Sequence, residues 1–386
     1  MKIIIAPQEF KGTMSSMSVA QAIHEGVIAT LPEAETVSMP IADGGTGTVE
    51  ALVSATKGHY VDTPTVDPLG RPIIARWGVL GDKKTAVIET ASASGLALLR
   101  DHERLPLVTS TEGTGRLLRT ALDEGYRRIL VGLGDSATND GGMGFARGIG
   151  IRALNILGED LPAGGGALDQ LAKLDLTGAH KHLFESQIIA LCDVTNVLCG
   201  NEGASVVFGP QKGADIAAIE TLDRGLSRFV DVVQKQFNLD MGTLVGGGAA
   251  GGLGAGLVAL CGGELRSGFD VISEYLKIED LIATADILIT GEGRLDFQTR
   301  DGKGVGRVAA IAKQNRVQIV IAIVGQNRLT IDQVRSIGID YIVSLDTNGE
   351  SRDDVSNLAS DSADEIRLAV EGLMRQIDYT EIKSKY

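Results

Sequence analysis

Aromatic residues are scarce: Phe, Trp and Tyr make up 4% of the 386 residues, and Trp77 is the single tryptophan. Stacking platforms for nucleic-acid bases need exposed aromatics, and this chain has few to offer. Positive charge is short as well, with 36 Lys plus Arg against 50 Asp plus Glu and a formal net charge of -14. Such a balance repels nucleic-acid backbones and anionic membranes unless a basic patch intervenes, and none is visible. The cysteines are three, Cys192, Cys199 and Cys261, odd in number and without metal-ligand spacing, which argues against a disulfide framework or a zinc site and suits a reducing cytoplasm. Met1 leads straight into strand-like Lys2-Ile3-Ile4-Ile5-Ala6-Pro7 with no leader of signal-peptide type. The long uncharged run from Gly246 to Gly263 is half glycine and would make a poor membrane helix. A P-loop G-x-x-x-x-G-K-[ST] and the protein-kinase motifs are missing too. The expectation is a soluble cytoplasmic protein with small-molecule ligands, no nucleic-acid or membrane partner, and an oligomeric state left open, a homo-oligomer included.

What the chain does have is glycine, 50 residues of it, which favours tight loops that approach small ligands closely. The length allows two domains. Strand Ile3 to Ala6 precedes a helix with Val19, Ile23 and Val27 on one face, and strand Glu35 to Ile41 precedes a helix around Thr48 to Thr56. The same rhythm returns in strands Ala285 to Ile289, Gln318 to Val324 and Tyr341 to Leu345, with helices near Val305 to Gln314 and Ile331 to Ser336 and a last one over Val355 to Ile377. Two units before and three after make five parallel strands, a doubly wound sheet of flavodoxin type. From Tyr60 to Glu89 the turn signals Asp67-Pro68-Leu69-Gly70 and Gly81-Asp82 predict antiparallel hairpins. The fold class is therefore α/β: a flavodoxin-like domain of residues 1–59 and 283–386, with a second mixed α/β domain, 60–282, inserted. Ligands of doubly wound sheets sit at the switch point beyond the strands' carboxyl ends, which brings Lys11 toward Glu292, Arg294 and Asp296.

Chemistry-bearing groups gather in glycine loops. Thr290-Gly291-Glu292-Gly293-Arg294-Leu295-Asp296 spaces three charges at alternate positions, so that they project to one side of an extended segment. Arg294 suits an anionic ligand, and Glu292 and Asp296 a metal or a proton; a solvated loop is the plain alternative. Pro7-Gln8-Glu9-Phe10-Lys11-Gly12-Thr13 precedes a helix whose free N–H groups favour phosphate or carboxylate. Ala42-Asp43-Gly44-Gly45 presents an accessible carboxylate or, more simply, a helix cap. Ser136-Ala137-Thr138-Asn139-Asp140-Gly141-Gly142 resembles a cradle for phosphate or a hydroxy acid. Asp193 after an apolar run is a candidate magnesium ligand or an Asx-turn residue, and Lys212 in Phe208-Gly209-Pro210-Gln211-Lys212-Gly213 is a candidate phosphate contact. Gly246-Gly247-Gly248-Ala249-Ala250-Gly251 satisfies the dinucleotide fingerprint G-x-G-x-x-G, with Asp270 nineteen residues beyond, but no convincing strand precedes it. A glycine-rich turn into a helix, against which a nucleotide or substrate rests at Gly248, Gly251 and Gly252, is the better reading.

Taken in order along nearly the whole chain, these motifs, with Ala249-Ala250-Gly251-Gly252-Leu253-Gly254 among them, resemble those of the type-1 glycerate kinases, a bacterial family that phosphorylates D-glycerate with ATP. The resemblance implies a flavodoxin-like domain interrupted by a second α/β domain, ATP as co-substrate and Mg2+ as cofactor. The roles that follow are Asp193 and Asp296 on magnesium, Lys11 and Lys212 on phosphates, Arg294 on the glycerate carboxylate, and Asp43 on the attacking hydroxyl. Ser136, Asn139, Asp140 and Glu292 complete the substrate site. Four positions depart from the family pattern: Gln8 where aspartate is common, Thr46 where glutamate is usual, Asp135 where a small residue is usual, and Gly304-Val305 where alanine-proline is typical. Two readings of other classes compete, a nicotinamide-dependent hydroxy-acid dehydrogenase resting on the Gly246 loop and a non-catalytic organic-acid or nucleotide sensor.

Overall fold

The computed structural model describes residues 1–10, 13–300, 304–345, 358–377 and 379. The chain opens with β1 (Lys2–Pro7) and β2 (Glu35–Ser38). It continues through β3 (His59–Val66), β4 (Pro72–Val79), β5 (Thr85–Glu89), β6 (Arg128–Gly132), β7 (Arg152–Leu154), β8 (Lys173–Asp175), β9 (Gln187–Leu191) and β10 (Glu264–Arg266). It closes with β11 (Ile287–Leu295), β12 (Ile319–Asn327) and β13 (Tyr341–Ser344). These elements divide between two compact units, Met1–Ala42 with Ile272–Tyr386, and Asp43–Val271.

In the first unit the strand order is β2-β1-β11-β12-β13 and every pairing is parallel, the flavodoxin-like order expected from the sequence. Strands buried on both faces must be apolar, and β1 meets this from Ile3 to Pro7. Ile3 and Ile5 join Ile287, Ile289, Ile321 and Ile323 against Val19, Ile23 and Val27 of the helix Ser16–Thr30, and against Ile366 and Val370 of Leu358–Met374. The alternate residues Ile4, Leu288 and Val320 are equally buried, and the helix Val305–Gln314 contacts β11 and β12. At about 1.5–3 kcal/mol for each large side chain removed from water, this double layer fixes the sheet. The switch point lies between β1 and β11, where Pro7 is in register with Gly291 and Gln8 N–H donates to the Gly291 carbonyl at 2.8 Å. β11 runs past the expected Ile289 to Leu295, because Glu292 and Arg294 continue in register with Val324 and Gln326.

The second unit is built on a mixed sheet of order β10-β9-β6-β5-β4-β3 with a separate β7-β8 pair. β3, β4 and β5 are antiparallel neighbours, as the turn signals predict; β5, β6, β9 and β10 are parallel. The first hairpin turn is closed by Asp67, whose Oδ1 accepts from Leu69 N–H and Arg71 N–H at 2.9 Å. Trp77 lies fully inside, its Nε1–H on Thr63 Oγ1 at 2.9 Å.

The unit boundaries fall at 42/43 and 271/272, not at the expected 59/60 and 282/283. The helix Thr48–Thr56 explains the first shift: it contacts β4 and β5, and Val49 N–H donates to the β5 carboxylate Glu89 at 2.6 Å. Gly78 makes the contact close, since a Cβ there would overlap Val53. Gly78→Val should push this helix off the sheet and destabilise the second unit by about 1–3 kcal/mol; a denaturation midpoint equal to wild type would show that the helix is not anchored there.

Candidate active site

Asp193 follows the carboxyl end of β9 and is partly buried. Its Oδ1 accepts from Ser267 Oγ and Gly268 N–H, each at 3.0 Å, and its Oδ2 from Phe269 N–H at 3.1 Å. Those amides belong to the start of the helix Gly268–Leu276, where unsatisfied N–H groups favour an anion. Burial, and next the negative charge of Asp43, nevertheless hold the Asp193 carboxyl above its ordinary pKa. Asp43 itself is exposed, and among the described residues its carboxylate takes one long hydrogen bond, from Gly45 N–H at 3.3 Å. One glycine ties the two acid loops: Gly268 gives its N–H to Asp193 and sets its Cα against the Asp43 carbonyl, where a Cβ would overlap.

The Asp43 loop is fixed by backbone. Gly134 N–H donates to the Gly44 carbonyl at 2.9 Å, and Thr48 Oγ1–H to the Gly45 carbonyl at 2.7 Å. The two departures from the family pattern in this unit meet here, for Asp135 Oδ2 accepts from Thr46 N–H at 3.0 Å and Thr46 Oγ1–H at 2.9 Å.

The segment 136–142 lies deeper than a surface cradle. Asp140 is fully buried. Its two oxygens take Thr111 N–H and Oγ1–H together with Gly142 N–H and Gly144 N–H, so it braces the loop and has no capacity left for the substrate contact expected of it. Burial raises its carboxyl above the ordinary range, against these donors. Asn139 is also fully buried; its Nδ2 donates to Ser205 Oγ at 2.9 Å, while its Oδ1 and Thr138 Oγ1 have no hydrogen-bond partner among the described residues. Lys212 is 2% exposed and supports the loop from beneath, giving Nζ–H bonds to Ser136 Oγ at 2.9 Å and the Thr138 carbonyl at 2.7 Å. The expected phosphate contact of Lys212 is thus replaced by contacts to the loop.

The glycines of the expected nucleotide loop serve the same packing. A Cβ on Gly251 would overlap the Thr138 carbonyl, one on Gly248 the Val197 carbonyl, and one on Gly252 would crowd the Gly141 Cα. Gly141 N–H donates to the Gly251 carbonyl at 3.0 Å. The turn precedes the helix Leu253–Cys261 but follows no strand, the helix Ile216–Phe237 being the preceding element. The strand-turn-helix that a dinucleotide fingerprint needs is therefore missing.

In the first unit, Arg294 is 64% exposed and pairs with Asp296 at 3.2 Å, and Glu292 accepts Thr299 Oγ1–H at 2.6 Å. Lys11 lies outside the described residues. No group of three or more His, Cys, Asp or Glu side chains among the described residues has metal-holding geometry, and no helix among them is long and apolar enough to cross a membrane. The sequence reading missed Ser267, Gly268 and Phe269. A signal was there: Ser267 with Asp270 three residues on is a capping pattern, and Asp270 N–H does bond Ser267 Oγ at 3.2 Å, but a cap does not announce which carboxylate it will serve.

Two outcomes follow. Gly268→Ala should displace the Asp43 loop and the Asp193 donors together, costing about 1–3 kcal/mol and lowering turnover more than tenfold; turnover within about twofold of wild type would rule out the tie. Burial pushes the Lys212 ammonium from 10.5 down to about 7, with Asp140 opposing. Between those values the unfolded chain binds a proton that the folded protein does not, so this lysine's contribution to stability rises with pH across that window, and the cost of burying its charge is present in full below about 7. Lys212→Met should flatten the stability profile between about pH 7.5 and 9.5 by up to roughly 1.4 kcal/mol per pH unit; equal slopes in denaturant melts would contradict the shift.

Residues 3–378 match the family model described as the glycerate kinase family. The chain is 43% identical to the glycerate 2-kinase of Escherichia coli (strain K12) over 362 residues, 94% of this chain and 95% of that protein. It is 44% identical to the glycerate kinase of Bacillus subtilis (strain 168), over 89% of this chain and 90% of that one. A crystal structure from Salmonella typhimurium LT2, assigned provisionally as glycerate kinase 2, superposes with a TM-score of 0.82 at 41% identity, covering 97% of this chain and 98% of its own. Loops that interlock in this way, on a flavodoxin-like sheet interrupted by a mixed one, occur here in a chain that belongs to the glycerate kinase family.

Proposed function

We propose that this chain transfers the γ-phosphate of ATP to a hydroxyl of D-glycerate, with magnesium, in organic-acid metabolism. The observation that carries the reading is the exposed Asp43 carboxylate held next to a partly buried Asp193 that sits on a helix N-terminus. Asp43 orients the attacking hydroxyl and takes its proton. The freed oxygen bonds the γ-phosphorus as the bond from that phosphorus to the bridging oxygen of ADP breaks.

The residues fit a metal of magnesium type. An ionised carboxylate has about four acceptor positions. Asp193 uses three, leaving one, and the repulsion from Asp43 is what a cation would offset. Magnesium commonly takes one or two carboxylates with the rest of its shell from water and phosphate oxygens, so the lack of a three-acid cluster among the described residues is no obstacle. Asp193 is the first ligand proposed, with Asp296 as second; the ion, when bound, would offset negative charge on the phosphates. Arg294, with its guanidinium largely open, is assigned the glycerate carboxylate, with Glu292 beside it in sequence. Ser136 and Asn139 are assigned to the substrate, Asn139 because its Oδ1 lacks a partner among the described residues. The nucleotide phosphates are assigned to Lys11 and to the backbone around Gly248, Gly251 and Gly252, with Lys212 acting through the loop it supports.

Phosphorus NMR of the protein incubated with ATP, magnesium and D-glycerate tests the whole reading: ADP and one phosphoglycerate should form, and the product resonance tells the 2- from the 3-phosphate. No ADP release with glycerate, together with NAD reduction by a hydroxy acid, would reverse the assignment. Arg294→Lys should raise the glycerate KM by roughly tenfold or more while moving the ATP KM little, because lysine cannot reproduce a bidentate clamp; an unchanged glycerate KM would remove Arg294 from that role.

A further inference from the structure

We propose that Asp135 is a positioning residue for Asp43, its carboxylate holding Thr46 and so fixing the turn from which Asp43 projects. Asp135 adopts φ +55°, a left-handed conformation that side chains other than glycine adopt only at some cost, although Asp and Asn tolerate it best. A glycine would satisfy the backbone there. The side chain that is present reaches a loop 89 residues away, where Asp135 Oδ2 takes both Thr46 donors at 3.0 and 2.9 Å.

The backbone of Asp135 is anchored on the side away from the turn, where Leu96 N–H donates to the Asp135 carbonyl and Ala137 N–H to the Ser94 carbonyl, each at 2.9 Å, while Gly134 N–H donates to the Gly44 carbonyl of the turn itself at 2.9 Å. Asp135 Oδ2 and Asp43 Oδ1 both approach Gly45, at 2.9 and 3.3 Å from the place its Cβ would occupy. The turn that carries Asp43 is thus clasped from 134–135 at Gly44 by backbone and at Thr46 by a carboxylate. Among the described residues the Asp43 carboxylate has one long bond, and Thr46 is exposed; Thr48 holds the turn at Gly44 and Gly45, and the Asp135 contacts hold it at Thr46. A displaced base lowers turnover steeply, since misplacement by about 1 Å can cost up to about a hundredfold.

The inference rests on the assignment of Asp43 made above, and its test separates the two. Asp135→Gly should lower kcat roughly ten- to hundredfold with the KM for ATP little changed, speed amide exchange at Gly45 and Thr46, and leave the thermal midpoint nearly in place because the left-handed backbone is relaxed. Asp135→Asn keeps an acceptor oxygen for Thr46 and should restore kcat to within about fivefold of wild type. In an Asp43→Asn background, Asp135→Gly should have almost no further effect on kcat. Asp135→Asn as impaired as Asp135→Gly would make the charge rather than the hydrogen bonds decisive and overturn the proposal. So would unchanged Thr46 exchange in Asp135→Gly, or a kcat loss that persists at full size in the Asp43→Asn background. Full turnover by Asp43→Asn alone would instead sink the assignment of Asp43, while the exchange measurement would still read the clasp.

Discussion

The approach of bare backbone to bare backbone is the constraint on which the acid site of the second unit depends. Gly268 sets its Cα on the Asp43 carbonyl, and Gly132 and Gly134 bring theirs onto Gly44 and Gly45. A Cβ at any of these contacts would overlap backbone atoms, so the layer would have to open and the hydrogen bonds that define the two carboxylates would be strained with it. This accounts for glycine without appeal to flexibility. These glycines are packing residues, and a side chain at any of them would meet neighbouring backbone.

Electrostatics explains why the firmness is needed. Asp43 and Asp193 repel one another, and burial adds to the cost for Asp193. Two like charges stay near each other only where fixed donors oppose the repulsion, and the first turn of the helix Gly268–Leu276 provides such donors to one of them. Beneath the neighbouring loop, Lys212 and Asp140 follow the same principle in reverse. Each is buried at an electrostatic cost, and each is tolerated because its hydrogen bonds are met by a loop that would otherwise lack partners. Removing either partner from such a network leaves a buried polar group unpaired, the costly half of the exchange.

Much of the fold was legible in the sequence. Helix Val305–Gln314 and helix Ile331–Ser336 occur at the residues predicted, because apolar periodicity and flanking glycines act locally. The boundary near Thr48–Thr56 was not legible: that helix reads as a partner of β2 and packs instead on β4 and β5, a choice made by shape at Gly78 that no local pattern records. For the site, the acids at 43 and 193 could be picked out as carboxylates that follow apolar runs. The burial of Asp140 and Lys212 could not, since Asn-Asp-Gly-Gly reads as part of a ligand cradle and Gln-Lys-Gly as a phosphate contact until their tertiary partners, Thr111 and Ser136, are known. Residues 267–269 escaped for a similar reason, a helix cap being recognisable in sequence while the carboxylate it serves is distant in the chain.

The four departures from the family pattern take on meaning once they are seen in pairs. Thr46, standing where glutamate is usual, hydrogen-bonds Asp135, standing where a small residue is usual. An acid has in effect crossed from one loop to its neighbour, so the formal charge of that pair is kept while its carboxylate is supported from the other side. In the first unit, Gln8 occupies an aspartate position and its Oε1 lies where a Cβ on Gly304 would fall, at φ +53° for that glycine. A longer side chain at 8 and a missing one at 304 are complementary in volume, and here the exchange does remove a charge. Paired substitutions of this kind preserve local packing and so escape the destabilisation that either change alone would bring. Against the pattern that the resemblance implies, the acid count of the second unit's loop is kept, while the first unit's loop has one acid fewer at Gln8.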